Sequence, residues 1–489
     1  MHSKLYEINT ANWLFELSQS YGRKINIGNI PEHELDNIKE LGFNYVWMMG
    51  VWERSKIGRE IALNDPEMNR LYDSVLEDWT ASDVIGSAYS IFDYKPDPLI
   101  GTWGDIDKLK EKLHKRDLKL ILDFIPNHTG RDHAWTKTKP DYYIQGDEGY
   151  FKKNLLDFFT IDYGQKKLHI AKGRDPFFLP WSDTAQLNYF NPDLRLAMIQ
   201  QLKTISNHCD GVRCDMAMLV MNDIFSKTWN WAKNKPKKLP LTEFWVEVRS
   251  ELPKFILIAE AYWDTESKLQ QLGFNYTYDK KFYDRLISSP PLEVKLQLTA
   301  SLDYQKRLIR FLENHDESRS TEVFSRNKLR ATIILLSTLP GMKLYYNSQL
   351  EGKKIKVPVQ LIRVNHEEPD QEITVFYKKI LSLTKGEIFQ IGEWELNEIS
   401  PIHDNSAQNL IAFSWRLDSQ IKFIVINLDK GLSQGRISLK NYLAYNKDYT
   451  LYDELNMQKY LRNGKEMCEL GLHVILEGYG AHILTTCIK

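Results

Sequence analysis

GVRCDMAML, residues 211–219, places an arginine and an aspartate two positions apart inside an otherwise apolar run. Such a run predicts a buried strand, in which an unpaired charge costs several kcal/mol. Two interpretations follow from this stretch alone. Arg213 and Asp215 form a structural ion pair near a strand end, or the strand presents a carboxylate to a working site and the arginine keeps it ionised.

Short β-rich apolar runs alternate with amphipathic helical patterns on both sides of this stretch. The helical pattern at 31–42, for example, begins with Pro31 and ends with Gly42. Alternation predicts an α/β fold with a parallel sheet, and about eight units predict a closed (β/α)8 TIM barrel. An open doubly wound sheet is the alternative. The predicted strands are 4–8, 44–49, 118–124, 211–215, 255–261, 275–279, 308–313 and 342–347.

Two regions interrupt the alternation and predict further domains. Residues 129–187, after the third strand, are rich in Lys, Asp and aromatic residues and predict a small inserted subdomain. Residues 401–489 contain short alternating runs with turns, which predict a C-terminal antiparallel β-domain of sandwich type. Residues 1–128 and 188–400 would then form the barrel.

Composition excludes several classes of function. The net charge of −1 gives no electrostatic reason to expect nucleic acid or an anionic membrane as a partner. No run of 18 or more apolar residues and no secretion signal occurs, so we expect neither membrane spanning nor export. The 4 cysteines among 489 residues do not form a disulfide scaffold and favour reduced thiols in the cytoplasm. Nothing in the sequence indicates the oligomeric state.

Charged residues recur where the predicted strands end. The active site of a TIM barrel lies at the C-terminal ends of its strands, so these residues are candidates for one site. Each one alone has a structural explanation as a turn or a helix cap, but their common position at successive strands favours a shared role. They are Asp123, His128, Arg213, Asp215, Glu260, His315 and Asp316.

Clustered carboxylates repel one another, so their pKa values should separate, with one acid ionised beside Arg213 and another protonated. That division suits glycoside hydrolysis, which needs one carboxylate to attack and one to protonate the leaving oxygen. A metal-dependent hydrolase is the competing class, but the sequence has no His-x-His, HExxH or CxxC motif. Neither GxGxxG nor GxxxxGK[ST] occurs, which argues against a phosphate cofactor.

The segments around the charged residues at the strand ends resemble motifs of the α-amylase family of glycoside hydrolases, and the resemblance extends over roughly residues 1–400. The segment YSIFDY (89–94) is similar to the one whose first tyrosine stacks on the sugar beside the scissile bond. AQLNYFNPDLR (185–195) resembles the short motif that ends the inserted subdomain. The four signature regions are resembled, in the family's order, by DFIPNH (123–128), GVRCDMA (211–217), AEAYW (259–263) and FLENHD (311–316).

The resemblance implies a role for each matching residue. Asp215 would be the nucleophile, and Glu260 the general acid and later the base. Asp316 would bind sugar hydroxyls and stabilise the transition state. The family retains the anomeric configuration, which predicts carboxyl groups of Asp215 and Glu260 about 5–5.5 Å apart. Substrate-binding roles would fall to Tyr89, Asp123, His128, Arg213 and His315.

The sequence also departs from the family's pattern. Met218 and Leu219 replace the Lys-His pair that many α-amylases place after the nucleophile. The motif AQLN (185–188) replaces the PDLN of relatives that cleave α-1,6 bonds, so an isomaltose preference is not supported. Asn127 matches a position that is a calcium ligand in some relatives, which makes a structural calcium a candidate; catalysis itself should need no cofactor.

The leading hypothesis is a retaining α-amylase-type hydrolase that cleaves α-1,4 bonds in maltooligosaccharides or in starch- and glycogen-like glucans. An α-glucosyl transglycosylase or a sucrose phosphorylase could use the same residues and is the alternative. A non-catalytic sugar-binding relative is a third hypothesis, but the intact set of Asp215, Glu260 and Asp316 argues against it.

Overall fold

A closed barrel of parallel strands forms the centre of the computed structural model, which describes residues 3–236, 240–439 and 443–487. Within these residues, each of the eight strands pairs with the strands before and after it in the chain, and β8 closes the ring on β1. The predicted TIM barrel is confirmed, and the open sheet is excluded. The strands are β1 (Lys4–Asn9), β2 (Tyr45–Met49), β3 (Lys119–Phe124), β4 (Gly211–Cys214), β5 (Ile256–Ala259), β6 (Tyr276–Tyr278), β7 (Leu308–Arg310) and β8 (Met342–Tyr346).

The twofold period of the strands decides which side chains enter the barrel. In β3, Leu120 and Leu122 pack outward against the helices, whereas Ile121 packs inside. Asp123, two residues on, therefore also points inward, and its partner in the register is Arg213 of β4. The charges in the apolar strands are thus directed to the barrel interior.

Helices surround the barrel and begin and end where the local sequence predicts. The predicted helix 31–42 forms Glu32–Glu40, and Gly42 follows it with a positive φ of 88°. The helix Pro192–His208 begins after Asn191, whose side chain accepts a hydrogen bond from the amide of Asp193. The other helices of the barrel region are Thr10–Ser20, Lys56–Asn64, Pro66–Val75, Trp103–His114, Asn222–Thr228, Phe244–Glu251, Glu266–Gln271, Lys280–Ser288, Pro291–Gln297, Leu302–Gln305, Ser320–Val323, Arg326–Thr338, Gln371–Leu383 and Glu387–Ile391.

The segment after β3 folds into a small sheet beside the barrel mouth. Its two ends are joined by antiparallel pairing of His128–Gly130 with Thr184–Gln186. Between them, a sheet is built from Gln145–Gly146, Phe158–Tyr163 and Lys166–Ala171, with the short helices Ala134–Thr138 and Glu148–Lys153. The pairing at the base holds this segment against the C-terminal ends of the barrel strands.

The C-terminal region is antiparallel and has its own apolar core. Its first strand begins at Glu393, before residue 401, because Gly392 ends the preceding helix and the chain then pairs with Leu410–Leu417. The larger sheet follows the order Glu393–Leu396, Leu410–Leu417, Gln420–Asn427, Ala481–Cys487, Asp448–Asp453 and Gln458–Asn463. The smaller sheet consists of Ile399–Ser400, Ser433–Ile437 and Leu472–Leu476, and the helix Gly464–Glu469 connects the two.

In the described parts of the chain, no helix combines the length and the apolar character that crossing a membrane requires. Cys209, Cys214 and Cys468 are free thiols, and the first two are buried.

Candidate active site

Arg213 connects the carboxylates that the sequence singled out. Its Nη1 donates to Asp215 Oδ1 at 2.6 Å, and its Nη2 lies 2.9 Å from Glu260 Oε2. The same Nη2 lies 4.0 Å from Asp316 Oδ2. One guanidinium therefore joins acids that follow three different strands. The ion pair of the first interpretation of GVRCDMAML is present, and it belongs to a larger cluster of acids at the barrel mouth, as the second interpretation requires.

Aromatic rings surround the buried guanidinium of Arg213. Its central carbon lies 5.3 Å from the ring centroid of Trp47, 5.2 Å from Tyr89 and 5.8 Å from Tyr278. Burial lowers the pKa of Arg213, but the attraction of the carboxylates raises it by a larger amount, so the pKa lies well above its ordinary value. These rings restrict the side chain and leave its charge directed toward the acids.

Asp215 follows β4 at a strained point of the backbone. The next residue, Met216, has a positive φ of 43°, an unfavourable conformation for a residue with a side chain. This conformation directs the Met216 amide to Glu260 Oε2, at 2.6 Å. Burial raises the pKa of Asp215, and the attraction of Arg213 opposes that rise.

Glu260 has donors on both carboxylate oxygens. Oε1 accepts from the Tyr262 hydroxyl at 2.7 Å, and Oε2 accepts from Met216 and Arg213. Burial, followed by repulsion from Asp215 and Asp316, raises the pKa of Glu260 to about 7 even though Arg213 opposes the shift. Glu260 therefore carries a proton at a pH where an ordinary glutamate has lost it.

Asp316 is the most exposed of the three acids, with 46% of its side chain accessible in the cleft. Its Oδ2 lies 3.0 Å from His315 Nε2, and His315 Nδ1 lies 2.5 Å from Glu7 Oε1. Burial lowers the pKa of His315, but the two carboxylates raise it more, to about 10. Burial raises the pKa of Asp316, but the His315 charge outweighs this and keeps it well below its ordinary value.

A cleft of about 350 Å³ is lined by the three acids together with Tyr89, His128 and Trp181. Tyr89 reaches His315 Nε2 with its hydroxyl at 2.8 Å, and its carbonyl accepts from His128 Nε2 at 3.1 Å. Burial lowers the pKa of His128 to about 4, so its ring is neutral. A larger cleft, about 750 Å³, lies between the helix Gln371–Leu383 and the C-terminal sheet and contains none of these acids.

Asp123 lies beneath the cleft, fully buried. Its Oδ1 accepts from the Trp47 indole at 3.1 Å, and its Oδ2 accepts from the Gly50 amide at 2.6 Å. Burial raises the pKa of Asp123 to about 6. Both carboxylate oxygens of Asp123 therefore already accept hydrogen bonds from the protein, and Asp123 holds Trp47 and Gly50 in place beneath the cleft. A contact between Asp123 and the sugar stays a prediction.

The surroundings of Asn127 do not fit a calcium ion. Its Oδ1 accepts from Gln186 Nε2 at 3.0 Å, and its Nδ2 lies 3.3 Å from Gln186 Oε1, so the two amides satisfy each other. Across the described residues, no three His, Cys, Asp or Glu side chains lie together as metal ligands. Calcium prefers several carboxylate or carbonyl oxygens, which this amide pair does not provide.

Met218 and Leu219 are buried in the short 3-10 turn Ala217–Val220, so neither takes the place of the Lys-His pair in the cleft. The sequence patterns assigned no role to Glu7, Tyr262 or Trp181, although Tyr262 and Trp181 line the cleft or contact its acids and Glu7 contacts His315. Tyr262 stood inside a quoted motif, and Glu7 is a charge in an apolar strand, which is the same signal that singled out Arg213.

Sequence comparison with known proteins identifies relatives among the α-amylases and related enzymes. Residues 29–385 match the family model described as "Alpha amylase, catalytic domain". The chain is 26% identical over 296 residues to alpha-amylase 3 of Dictyoglomus thermophilum, covering 56% of each protein. It is 25% identical over 379 residues to the 4-alpha-glucanotransferase of Thermotoga maritima, covering 69% of this chain and 72% of the relative. The chain spans about half the length of the curated alpha-amylases that it matches.

Among solved structures, the fold is similar to that of a noncanonic maltogenic alpha-amylase from Thermotoga neapolitana. The TM-score is 0.71 at 21% identity, and the alignment covers 100% of this chain and 99% of that one. At this identity the likeness concerns the fold.

Proposed function

Because the chain belongs to the α-amylase family of glycoside hydrolases, we propose that it cleaves α-1,4-glucosidic bonds in maltooligosaccharides or in starch- and glycogen-like glucans. The observation that carries this proposal is the contact of one guanidinium with three carboxylates at the barrel mouth. Glycoside hydrolysis needs an ionised acid and a protonated acid side by side, and the two environments of Asp215 and Glu260 supply that difference.

In the first step, a glucosyl unit lies in the cleft with its anomeric carbon beside Asp215. The Asp215 carboxylate attacks that carbon while the glycosidic C–O bond breaks, and Glu260 gives its proton to the leaving oxygen. The products are a glycosyl ester on Asp215, an ionised Glu260 and a free sugar hydroxyl. Tyr262, through its hydrogen bond to Glu260 Oε1, keeps the acid in a fixed orientation.

In the second step, ionised Glu260 takes a proton from a water molecule, whose oxygen attacks the anomeric carbon and releases Asp215. Two inversions retain the anomeric configuration, and this outcome requires the predicted carboxyl separation of about 5–5.5 Å. Positive charge develops on the sugar ring in both transition states, and Asp316, kept ionised by His315, supplies the stabilising negative charge. In both steps the groups that act on the sugar and on water are the side chains of Asp215, Glu260 and Asp316.

Product analysis tests the proposal. The purified protein is incubated with maltooligosaccharides, sucrose and isomaltose, each with and without phosphate. We expect new reducing ends from maltooligosaccharides without phosphate, little action on isomaltose, and α-anomers as the first products by proton NMR. First products in the β configuration would contradict the retaining mechanism.

A transglycosylase is the second candidate, because a sugar hydroxyl can replace water in the second step. One of the relatives is a 4-alpha-glucanotransferase, which gives this alternative its support. Redistribution of chain lengths without new reducing ends would favour it, and glucose 1-phosphate from sucrose and phosphate would favour a phosphorylase.

The complete acid set argues against a non-catalytic relative. The buried thiols Cys209 and Cys214 fit a cytoplasmic enzyme.

The pH dependence of hydrolysis gives a further prediction. Glu260 must hold its proton for the first step, and its pKa is raised to about 7, so kcat/KM should fall as the pH rises through about 7. Asp215 must be ionised, and burial raises its pKa, so the acidic limb should lie above the ordinary range of an aspartate. A pH profile of kcat/KM on maltotetraose measures both limbs. A basic limb near the ordinary glutamate pKa of about 4.3 would contradict the assignment.

A further inference from the structure

Glu7 of β1 is a fully buried carboxylate inside the barrel. Its Oε1 lies 2.5 Å from His315 Nδ1, across 308 residues of sequence. Its Oε2 is buried and has no hydrogen-bond partner among the described residues. The contact with His315 is therefore the interaction that accounts for a charge at this position.

Packing does not explain this side chain. A carboxylate taken from water into a barrel interior costs several kcal/mol unless a charge or donor compensates it, and an apolar residue would fill the same volume without that cost. The neighbouring inward residues, Leu5 of the same strand and Leu344 of β8, are apolar. A carboxylate at Glu7 therefore indicates a requirement for negative charge at His315 Nδ1.

The imidazole of His315 is held between two acids. Glu7 fixes a proton on Nδ1, because a carboxylate can only accept there. On the other side, Nε2 lies 3.0 Å from Asp316 Oδ2 and 2.8 Å from the Tyr89 hydroxyl. Carboxylates on both nitrogens favour the doubly protonated ring.

We propose that Glu7 is a positioning residue, which holds His315 as an imidazolium so that its Nε2–H orients the carboxylate of Asp316 in the cleft. This inference rests on the proposed function and extends it, since Glu7 itself touches no substrate. With Oδ2 held by His315, the other oxygen of Asp316 is free to accept sugar hydroxyls and to face the charge that develops on the ring.

Other groups around His315 act on the same proton. Glu7 and Asp316 contact its two nitrogens and attract the charge of the ring, and Asp123 and Asp215 interact with that charge from farther away. The neutral Tyr89 hydroxyl lies at Nε2. Arg213, a positive charge, lies on the other side of Asp316 Oδ2, at 4.0 Å from that oxygen. Glu7 differs from the rest because it contacts Nδ1 and lies away from the cleft, so its charge can be removed without changing a residue that lines the cleft.

The experiment follows the protonation of His315 directly. The full chain is labelled with 13C at Cε1 of its 12 histidines, and the His315 signal is assigned from its loss in His315→Gln. In the wild type, we expect this ring to stay protonated beyond pH 8, consistent with its pKa of about 10. Glu7→Gln keeps the size and a hydrogen-bond acceptor but removes the charge, and should lower the titration midpoint by at least about 1 pH unit.

A matched control is Asp453→Asn. Asp453 is also fully buried and contacts a histidine, with its Oδ2 2.6 Å from His482 Nδ1, but it lies in the C-terminal sheet. This variant should leave both the His315 titration and the activity as in the wild type. Glu7→Gln should lower kcat on maltotetraose by about 10- to 100-fold with KM changed less than about 3-fold, because orientation at the transition state is lost.

Two results would overturn the inference. One is a wild-type His315 that titrates near its ordinary value of about 6.5, a measurement that does not use Glu7→Gln and so holds even if that variant does not fold. The other is a folded Glu7→Gln protein with an unchanged His315 titration. Both titrations can be measured without any catalytic activity. A wild-type protein without glycosidase activity would therefore refute the proposed function, whereas the His315 titrations would still test whether Glu7 keeps His315 protonated.

Discussion

Asp215→Asn should abolish glycoside hydrolysis, with kcat on maltotetraose lowered by at least about 10⁴-fold. An amide cannot form the glycosyl ester, so the proposed double displacement loses its first step. Arg213 also keeps its buried charge but loses the closest of its anionic partners, at 2.6 Å. The measurement is the initial rate of reducing-end release by the purified variant.

Asp223→Asn is the matched control for this change. Asp223 lies nearby in the chain, is half exposed and pairs with Lys268, outside the cleft. The same chemical substitution there should leave kcat within about twofold of the wild type. Hydrolysis by Asp215→Asn at a rate near that of the wild type would refute the role of Asp215.

The assignment has a direct chemical test as well. A fluorinated glycosyl donor with a good leaving group forms the ester but slows its hydrolysis, so the glycosylated protein should accumulate in the wild type. Peptide mass spectrometry should then place the added sugar on the peptide that contains Asp215. A label on Glu260 instead would exchange the two proposed roles.

Glu260→Gln should give the second-largest loss, about 10²- to 10⁴-fold in kcat on maltotetraose, the range that general acid catalysis contributes. A glutamine cannot give a proton to the leaving oxygen. An aryl maltoside whose leaving group is dinitrophenolate needs no such proton, so its first step should proceed much closer to the wild-type rate. The burst of dinitrophenol measured in a stopped-flow instrument reports that step.

Glu266→Gln controls for the loss of a protonated glutamate. Burial raises the pKa of Glu266 to about 7 as well, yet this residue lies at the start of the helix Glu266–Gln271 and outside the cleft. Its substitution should leave hydrolysis of both substrates unchanged. Equal losses of Glu260→Gln on maltotetraose and on the aryl maltoside would contradict a role in protonating the leaving group.

Much of this architecture could be predicted from local pattern. Each barrel strand was visible as a short β-rich apolar run, because a strand covered by helices on one side and by the barrel interior on the other is buried on both faces. Helix ends were marked by residues such as Pro31 and Gly42. Charges inside apolar strands marked Arg213 and Asp215, since chains rarely bury charge without a partner. The family motifs then assigned roles that spacing alone had left open.

The sequence by itself determined the eight-unit alternation, the inserted and C-terminal regions and the identity of the acids at the strand ends. Only the tertiary structure decided that one guanidinium reaches all three acids, that Gln186 satisfies Asn127, and that Glu7 contacts His315. The physical reason is that periodicity reports the local backbone and its burial. Protonation and hydrogen bonding instead depend on distances between groups from distant parts of the chain, which closure of the barrel on β1 brings together.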